Sequence, residues 1–114
     1  MLYTTFEVGG ESYKLRIDTR RTVELEKRIG GNPLSLFMRM DSTGELPPVA
    51  HMVDVLHISL QAYQHKITKE GAFDIFDAWL AEGHNLAEFI PVILDIYKVS
   101  GFIGADEKEE TEKN

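Results

Sequence analysis

Hydrophobic residues alternate with polar ones on both sides of a glycine pair near the start of the chain. In the stretch TTFEVGGESYKLRI, Phe6 and Val8 share one face before the glycines, and Leu15 and Ile17 share one face after them. Such alternation is typical of half-buried strands, and two glycines suit a two-residue hairpin turn. The pattern predicts a β-hairpin over about residues 3–17. Because an isolated hairpin is marginally stable, its apolar face must pack on helices or extend a neighbouring sheet.

After the hairpin, the apolar spacing changes to three and four residues, which is typical of helices. Capping residues and breakers divide this part of the chain into segments. The predicted helices cover about residues 19–29, 33–40, 48–66, 69–82 and 86–100. Their predicted N-terminal caps are Asp18 or Thr19, Asn32, Thr68 and Asn85. The predicted fold class is mainly α with a small N-terminal β-hairpin (α+β), a compact bundle of about five helices forming one domain over residues 1–104.

The third predicted helix, residues 48–66, carries apolar side chains on two faces. Its main stripe comprises Val49, Met52, Val53, Leu56, Leu60, Tyr63 and Ile67. A second stripe, roughly opposite, comprises Val55, Ile58 and Ala62. Either this helix runs through the middle of the domain or its second face meets a partner. We predict that the second stripe is a protein-contact surface.

The stretch LAEFIPVILDIYKVSGFIG is apolar almost all the way round when drawn as a helix. Pro91 predicts a kink or a break into two pieces. The helix is either central and buried or shared between its own core and a neighbouring subunit. After the breaker Gly101, Phe102 and Ile103 either pack back on the helix end or remain exposed as a contact. We include both among the candidate contact residues.

The amino-acid composition limits the kinds of catalytic and metal site that this chain can form. The chain has 114 residues and no cysteine, which excludes thiol catalysis and cysteine-ligated metal sites. Four histidines, His51, His57, His65 and His84, lack the spacing of a zinc motif, and no nucleophile motif or distinct carboxylate pair stands out. We predict a protein that is not an enzyme and has no cofactor or metal. The N-terminus does not resemble a secretory signal, and no apolar run approaches the roughly 20 residues of a membrane span.

The net charge of −7 is distributed unevenly. Residues 1–40 carry seven Lys/Arg against five Asp/Glu, whereas residues 41–104 carry three against nine. The acidic total disfavours nucleic-acid binding. A local basic cluster comprises Arg20, Arg21, Lys27 and Arg28. It is either a solvated helix face or an attractive surface for an acidic neighbour, such as the back half of another copy. The acidic segment 105–114 is predicted to be a disordered tail.

The order of elements resembles that of tail assembly chaperones of long-tailed bacteriophages and prophages of Gram-positive bacteria. The resemblance spans about residues 6–103 and rests on this order and on local stretches such as VELEKRIGGNPL and YKVSGFI. It implies a non-catalytic protein that binds the tape measure protein and brings tail tube subunits to it. It also implies work in the host bacterial cytoplasm and absence from the finished particle. Such chaperones are often made in two lengths by ribosomal frameshifting, and whether a longer product exists here stays open.

The chaperone hypothesis requires repeated apolar surface, weak self-association and client binding. The candidate contact residues are therefore Val55, Ile58, Ala62, Phe102 and Ile103. We predict a homo-oligomer that binds neither nucleic acid nor membrane. One alternative is a small helical DNA-binding regulator, which would bind with a steep salt dependence. Another is a structural tail or head-completion subunit that stays in the virion.

Overall fold

A computed structural model describes residues 2–104 of the chain and confirms the predicted fold class. Two strands form an N-terminal antiparallel hairpin, β1 (Thr4–Val8) and β2 (Glu11–Leu15). Five α-helices follow: α1 (Thr19–Ile29), α2 (Pro33–Thr43), α3 (Val49–Leu60), α4 (Lys69–Ala81) and α5 (Phe89–Val99). A short 3-10 turn, Leu86–Glu88, precedes α5. The acidic segment 105–114 lies outside the described residues.

The hairpin forms because the glycine turn sets a strand register that places the apolar side chains of both strands on one face. Gly9 and Gly10 have φ angles of 59° and 81°, which residues with a Cβ atom rarely adopt. The resulting register pairs Phe6 with Tyr13 and Val8 with Glu11. The buried side chains of the two strands lie against α3, α4 and α5. The hairpin therefore packs on the helices of its own chain, which was one of the two predicted arrangements.

Side-chain caps define where most helices begin. Asp18, Asn32 and Thr68 each accept a hydrogen bond from the backbone N–H group three residues further on, at 2.9 to 3.1 Å. Asn85 and Glu88 form a reciprocal capping box at the 3-10 turn. The sequence predicted Asn32, Thr68 and Asn85 as caps and left Asp18 and Thr19 as alternatives, of which Asp18 is the cap. Their short polar side chains satisfy backbone donors that a helix start leaves free.

Helix α3 is the central element of the fold. It packs against α1, α4, α5 and β2, and eight of its 12 residues are buried. Val55 is 3% exposed and Ile58 is 1% exposed, so the second apolar stripe faces the core of the same molecule. The prediction that these two residues form an exposed contact surface is therefore wrong. The all-round apolar character of α3 reflects its central position instead.

Helix α3 ends at Leu60, six residues before the predicted end. After Leu60 the backbone turns, with the N–H groups of Gln61 and Tyr63 donating to carbonyls three residues back, and side-chain hydrogen bonds hold this turn. The Gln64 side-chain amide pairs with Lys14 of β2, donating to its carbonyl and accepting from its N–H, both at 2.8 Å. Gln61 donates to the Ile67 carbonyl at 2.7 Å. Continuing the helix would break these contacts, which attach the turn after α3 to the free edge of the hairpin.

The last helix is divided, as Pro91 predicted. The break lies just before Phe89, so that Pro91 occupies the first turn of α5, where its missing N–H costs no intrahelical bond. At the other end, Gly101 has a φ of 84°, and the Phe102 N–H donates to the Tyr97 carbonyl at 2.9 Å. The two aromatic rings lie 4.9 Å apart. This Schellman arrangement packs Phe102 against the helix that it follows.

An aromatic cluster joins the hairpin to the helices. The Phe89 ring of α5 lies 5.9 Å from Phe6 of β1, and 5.1 and 5.6 Å from Phe76 and Trp79 of α4. All three contacts are edge-to-face, the favourable geometry for aromatic pairs. Arg16, just after β2, donates to the Val99 carbonyl at the end of α5. This hydrogen bond links the end of the hairpin to the end of the last helix.

We expect Ile58→Asp to lower the free energy of unfolding by about 4 kcal/mol or more, because it places an unpaired carboxylate in the core. Thermal and urea unfolding followed by circular dichroism measure the loss. The matched control is Leu46→Asp, at a residue that is 46% exposed, which should unfold close to wild type. A cooperative Ile58→Asp transition at the wild-type midpoint would contradict the central position of α3.

Candidate interaction surface

The five predicted contact residues occupy different environments. Val55 and Ile58 belong to the core, as described above. Ala62 is half-buried in the turn after α3. Phe102 and Ile103 are half-buried and pack against the core cluster. The structure therefore does not bring these five residues together on one exposed surface.

Helix α2 has more apolar residues than the core of the molecule buries. Its sequence PLSLFMRMDST contains six apolar residues, but only Pro33 and Phe37 are buried. At 100° per residue, Leu36 and Met40 lie on one side of this buried pair, and Leu34 and Met38 lie on the other. Met38 is 59% exposed, the largest value for a large hydrophobic side chain in any helix of the described chain. The apolar arc of α2 is thus wider than the contact that holds it.

The loop after α2 extends this arc. Leu46 is 46% exposed and lies beside Met40 in a shallow hollow that also includes Ile90 of α5. On the opposite side, Leu34 lies beside Phe102. We call the set Leu34, Leu36, Met38, Met40 and Leu46 the α2 surface. These residues lie on two flanks of α2, with Leu36, Met40 and Leu46 on one side of the buried pair and Leu34 and Met38 on the other.

The space beneath the α2 surface is too small for an organic ligand. The cleft between Leu36, Met40 and His51 has a free volume of about 20 Å³, and the hollows beside Leu46 and beside Leu34 have free volumes of about 100 and about 130 Å³. Pockets for drug-sized ligands typically exceed about 300 Å³. The side chains are apolar and two are methionines, which adapt to partners of different shapes. This arrangement suits contact with another polypeptide.

Sequence reasoning missed the α2 surface because it examined the longest and most apolar helices. The available signal was quantitative. An 11-residue helix with apolar residues over more than half of its circumference exceeds what one face of a small core requires. The exposed Met38 and the half-buried Met40 also favour a binding role, since methionine is common at adaptable binding surfaces.

A charge cluster around one buried carboxylate joins three helices on another part of the fold. The Asp54 carboxylate of α3 is 6% exposed. Its Oδ1 lies 3.0 Å from Lys69 Nζ of α4 and 3.5 Å from Arg28 Nη1 of α1. Arg28 also binds Glu24 at 2.7 Å. A buried carboxylate flanked by two cations is a compensated charge, so this cluster orients α1 and α4 on α3.

His57 belongs to the same cluster. Arg28 Nη1 lies 3.1 Å from His57 Nδ1. A guanidinium only donates, so Nδ1 must accept and the ring must be neutral. Burial and the positive charge of Arg28 lower the pKa of His57, while the Ile67 backbone and the negative charge of Glu24 partly offset this lowering. A neutral imidazole held by a guanidinium is a structural contact, and no reacting group lies beside it in the described part of the chain.

The other histidines lie apart from one another. His51 lines the cleft beneath α2, and His65 contacts the Gln61 carbonyl. His84 stacks on Trp79 at 4.5 Å and contacts Glu88. Within residues 2–104, no group of three or more His, Asp or Glu side chains has the geometry to hold a metal ion. No helix among these residues has the length and apolar content needed to cross a membrane.

Comparison with known proteins gives one match. The model of a family of unknown function, DUF6096, matches residues 3–114, and the chain therefore belongs to this family. No curated protein and no solved structure matches the chain significantly.

The lowered pKa of His57 predicts a specific pH dependence of stability. The unfolded state binds a proton near pH 6.5, whereas the folded state binds it only at lower pH, so the free energy of unfolding should fall as pH decreases through this window. We expect His57→Gln to show a smaller fall between about pH 8 and about pH 5.5. Urea unfolding at a series of pH values measures the slope. His65→Gln, an exposed control, should keep the His57 contribution. An unchanged slope in His57→Gln would refute the assignment.

Proposed function

We propose that this member of DUF6096 is a non-catalytic tail assembly chaperone of a long-tailed bacteriophage or prophage. In this role it binds the tape measure protein and recruits tail tube subunits to it during assembly. The resemblance of residues 6–103 to such chaperones provides the biological setting. The observation that carries a binding role is the α2 surface, a set of apolar residues of which Met38 and Leu46 are exposed.

The α2 surface suits an extended, partly helical client. Met38 on α2 and Leu46 after it are exposed, so an amphipathic client segment can place its apolar residues against them. Met38 and Met40 can adjust their rotamers to successive segments of a client without a fixed shape. Contacts of this kind are individually weak, and a client can leave them when the tube subunits assemble. A chaperone that is absent from the final particle requires such reversibility.

The alternative of a DNA-binding regulator receives less support from the charges. Two members of the basic cluster are already paired, Arg21 with Asp18 at 2.6 Å and Arg28 with Glu24 at 2.7 Å. Arg20 and Lys27 remain exposed on α1, but Glu24 lies between them. Phosphate binding gains affinity from several uncompensated cations, and this face has few. The net charge of −7 adds a repulsive background.

Location separates the chaperone from a subunit that stays in the virion. The proposal places the protein in the host bacterial cytoplasm and excludes it from the mature particle. Mass spectrometry of purified particles tests this directly, with the tape measure protein as the internal positive control. Stoichiometric amounts of this chain in the particles would favour the structural-subunit alternative.

We expect Met38→Asp to abolish co-purification with the tape measure protein while leaving the thermal midpoint nearly unchanged. The carboxylate would be desolvated in an apolar contact but remains hydrated in the free protein, since Met38 is exposed. The measurement is co-expression of the tagged variant with the tape measure protein encoded nearby, followed by affinity purification.

The matched control is Ser35→Asp, which adds the same charge to the polar face of α2. This variant should capture the client as wild type does. Wild-type capture by Met38→Asp would exclude the α2 surface as the client contact. Absence of any complex with the wild-type chain, under conditions in which both proteins are soluble, would contradict the proposed function itself.

A further inference from the structure

The outer face of α1 combines an exposed apolar residue with two cations. Arg20, Val23 and Lys27 stand at positions i, i+3 and i+7, which places them in one row along the helix. Val23 is 46% exposed, and the buried Leu25 lies on the opposite side, against α3. Among residues 2–104, no carboxylate forms an ion pair with either Arg20 or Lys27. The row presents two positive charges about 10 Å apart, with Val23 on one side of the line between them and Glu24 on the other.

The outer face of α4 has the same arrangement with opposite charge. Glu70, Phe73 and Asp77 also stand at i, i+3 and i+7. Phe73 is 42% exposed, whereas Ala72, Phe76 and Trp79 face the core. Asp74 adds a further negative charge beside this row. Within the described part of the chain, no cation forms an ion pair with any of these three carboxylates. The unpaired carboxylates of this row repel one another in the monomer, and a neighbouring surface with cations would stabilise them.

The two rows cannot meet within one molecule. Helices α1 and α4 both pack on α3 through their buried sides, so their outer rows point away from the domain. A second copy, however, presents its α4 row to the α1 row of the first. The two rows have the same spacing, opposite charges and an apolar residue at the same position. Each cation of one row can approach a carboxylate of the other while Val23 contacts Phe73.

We propose that the outer face of α1 binds the outer face of α4 of a second copy of this chain. The interface joins two different surfaces, so each molecule keeps one free row for a further copy, and assembly proceeds head-to-tail into rings or short filaments. This inference is independent of the tail assembly proposal, because it rests on the two rows alone.

Glu24 is the one opposing charge on the α1 face. Its carboxylate is already bound by Arg28 at 2.7 Å, which reduces its repulsion of an acidic partner. The contact is also small, since the two helices have 11 and 13 residues and present one side each. Interfaces below about 1,200 Å² are typical of weak, transient association. Self-association should therefore require high protein concentration and depend strongly on salt.

Sedimentation velocity over a series of concentrations tests the proposal at about 0.01 M and about 1 M salt, where the screening length is about 30 Å and about 3 Å. We expect the weight-average mass to rise above 12.9 kDa with concentration at low salt and to return to it at high salt. A wild-type chain that stays monomeric at every concentration in low salt would overturn the proposal.

Charge reversal identifies the surfaces. Lys27→Glu should abolish association at low salt, and Lys27→Glu combined with Asp77→Lys should restore it at the wild-type net charge. The matched control combines Lys66→Glu with Glu11→Lys, at exposed positions outside both rows, and should associate as wild type does. Circular dichroism melting verifies that each variant is folded. Association that is unaffected by Lys27→Glu, or a double variant that stays monomeric although folded, would overturn the pairing of these rows.

A mixing experiment distinguishes a head-to-tail contact from one between identical faces. Val23→Asp disables only the α1 row, and Phe73→Asp disables only the α4 row. Each variant alone should be monomeric at low salt, whereas the equimolar mixture should form dimers and no larger species, because one intact pair of rows remains. A mixture that stays monomeric, or Val23→Asp alone that still associates, would contradict the proposal.

Discussion

The burial of α3 is the constraint on which the rest of this structure depends. Eight of its 12 residues are buried, and α1, α4, α5 and the hairpin strand β2 all pack against it. A helix that buries most of its circumference must be apolar on nearly every side, which explains its two stripes. The single buried carboxylate on this helix, Asp54, needs compensation, and Arg28 and Lys69 approach it from the two flanking helices. Charge neutralisation and apolar burial therefore impose the same arrangement on α1, α3 and α4.

Helix α2 is the exception to this arrangement. It is held chiefly through Pro33 and Phe37, the latter stacked edge-to-face on Tyr97 of α5 at 5.8 Å. A helix with few buried residues contributes little to the stability of the core and can open locally at low cost. The same light attachment leaves Met38 and Leu46 accessible. The proposed binding role of α2 and its modest contribution to the fold are thus two consequences of one packing arrangement.

The α2 surface and the charged rows serve separate purposes in these proposals. The α2 surface is apolar and adaptable, which suits a client of variable sequence. The rows on α1 and α4 are ordered by charge, which suits a partner of fixed sequence such as a second copy. A molecule that associates through the α1 and α4 rows does not use α2 in this contact. An assembly of several copies would therefore display the α2 surface repeatedly. When a long client binds one copy, its other segments are held near the next copies at a raised effective concentration. Several weak contacts together then bind the client more tightly than one does.

The sequence by itself determined the local structure of this protein. Gly9 and Gly10 specified the hairpin turn, four polar caps specified helix starts, and Pro91 specified the break before α5, because each acts through its own backbone or its near neighbours. The tertiary structure decided which apolar faces are covered. Val55 and Ile58 have the composition of a contact surface, yet they are buried because four elements surround α3, and periodicity carries no information on how many neighbours a helix has. The end of α3 depended on Gln64 reaching Lys14, 50 residues away in sequence. The exposure of α2 was likewise a result of packing, since only the complete fold shows that Pro33 and Phe37 are the part of its apolar arc that the core covers.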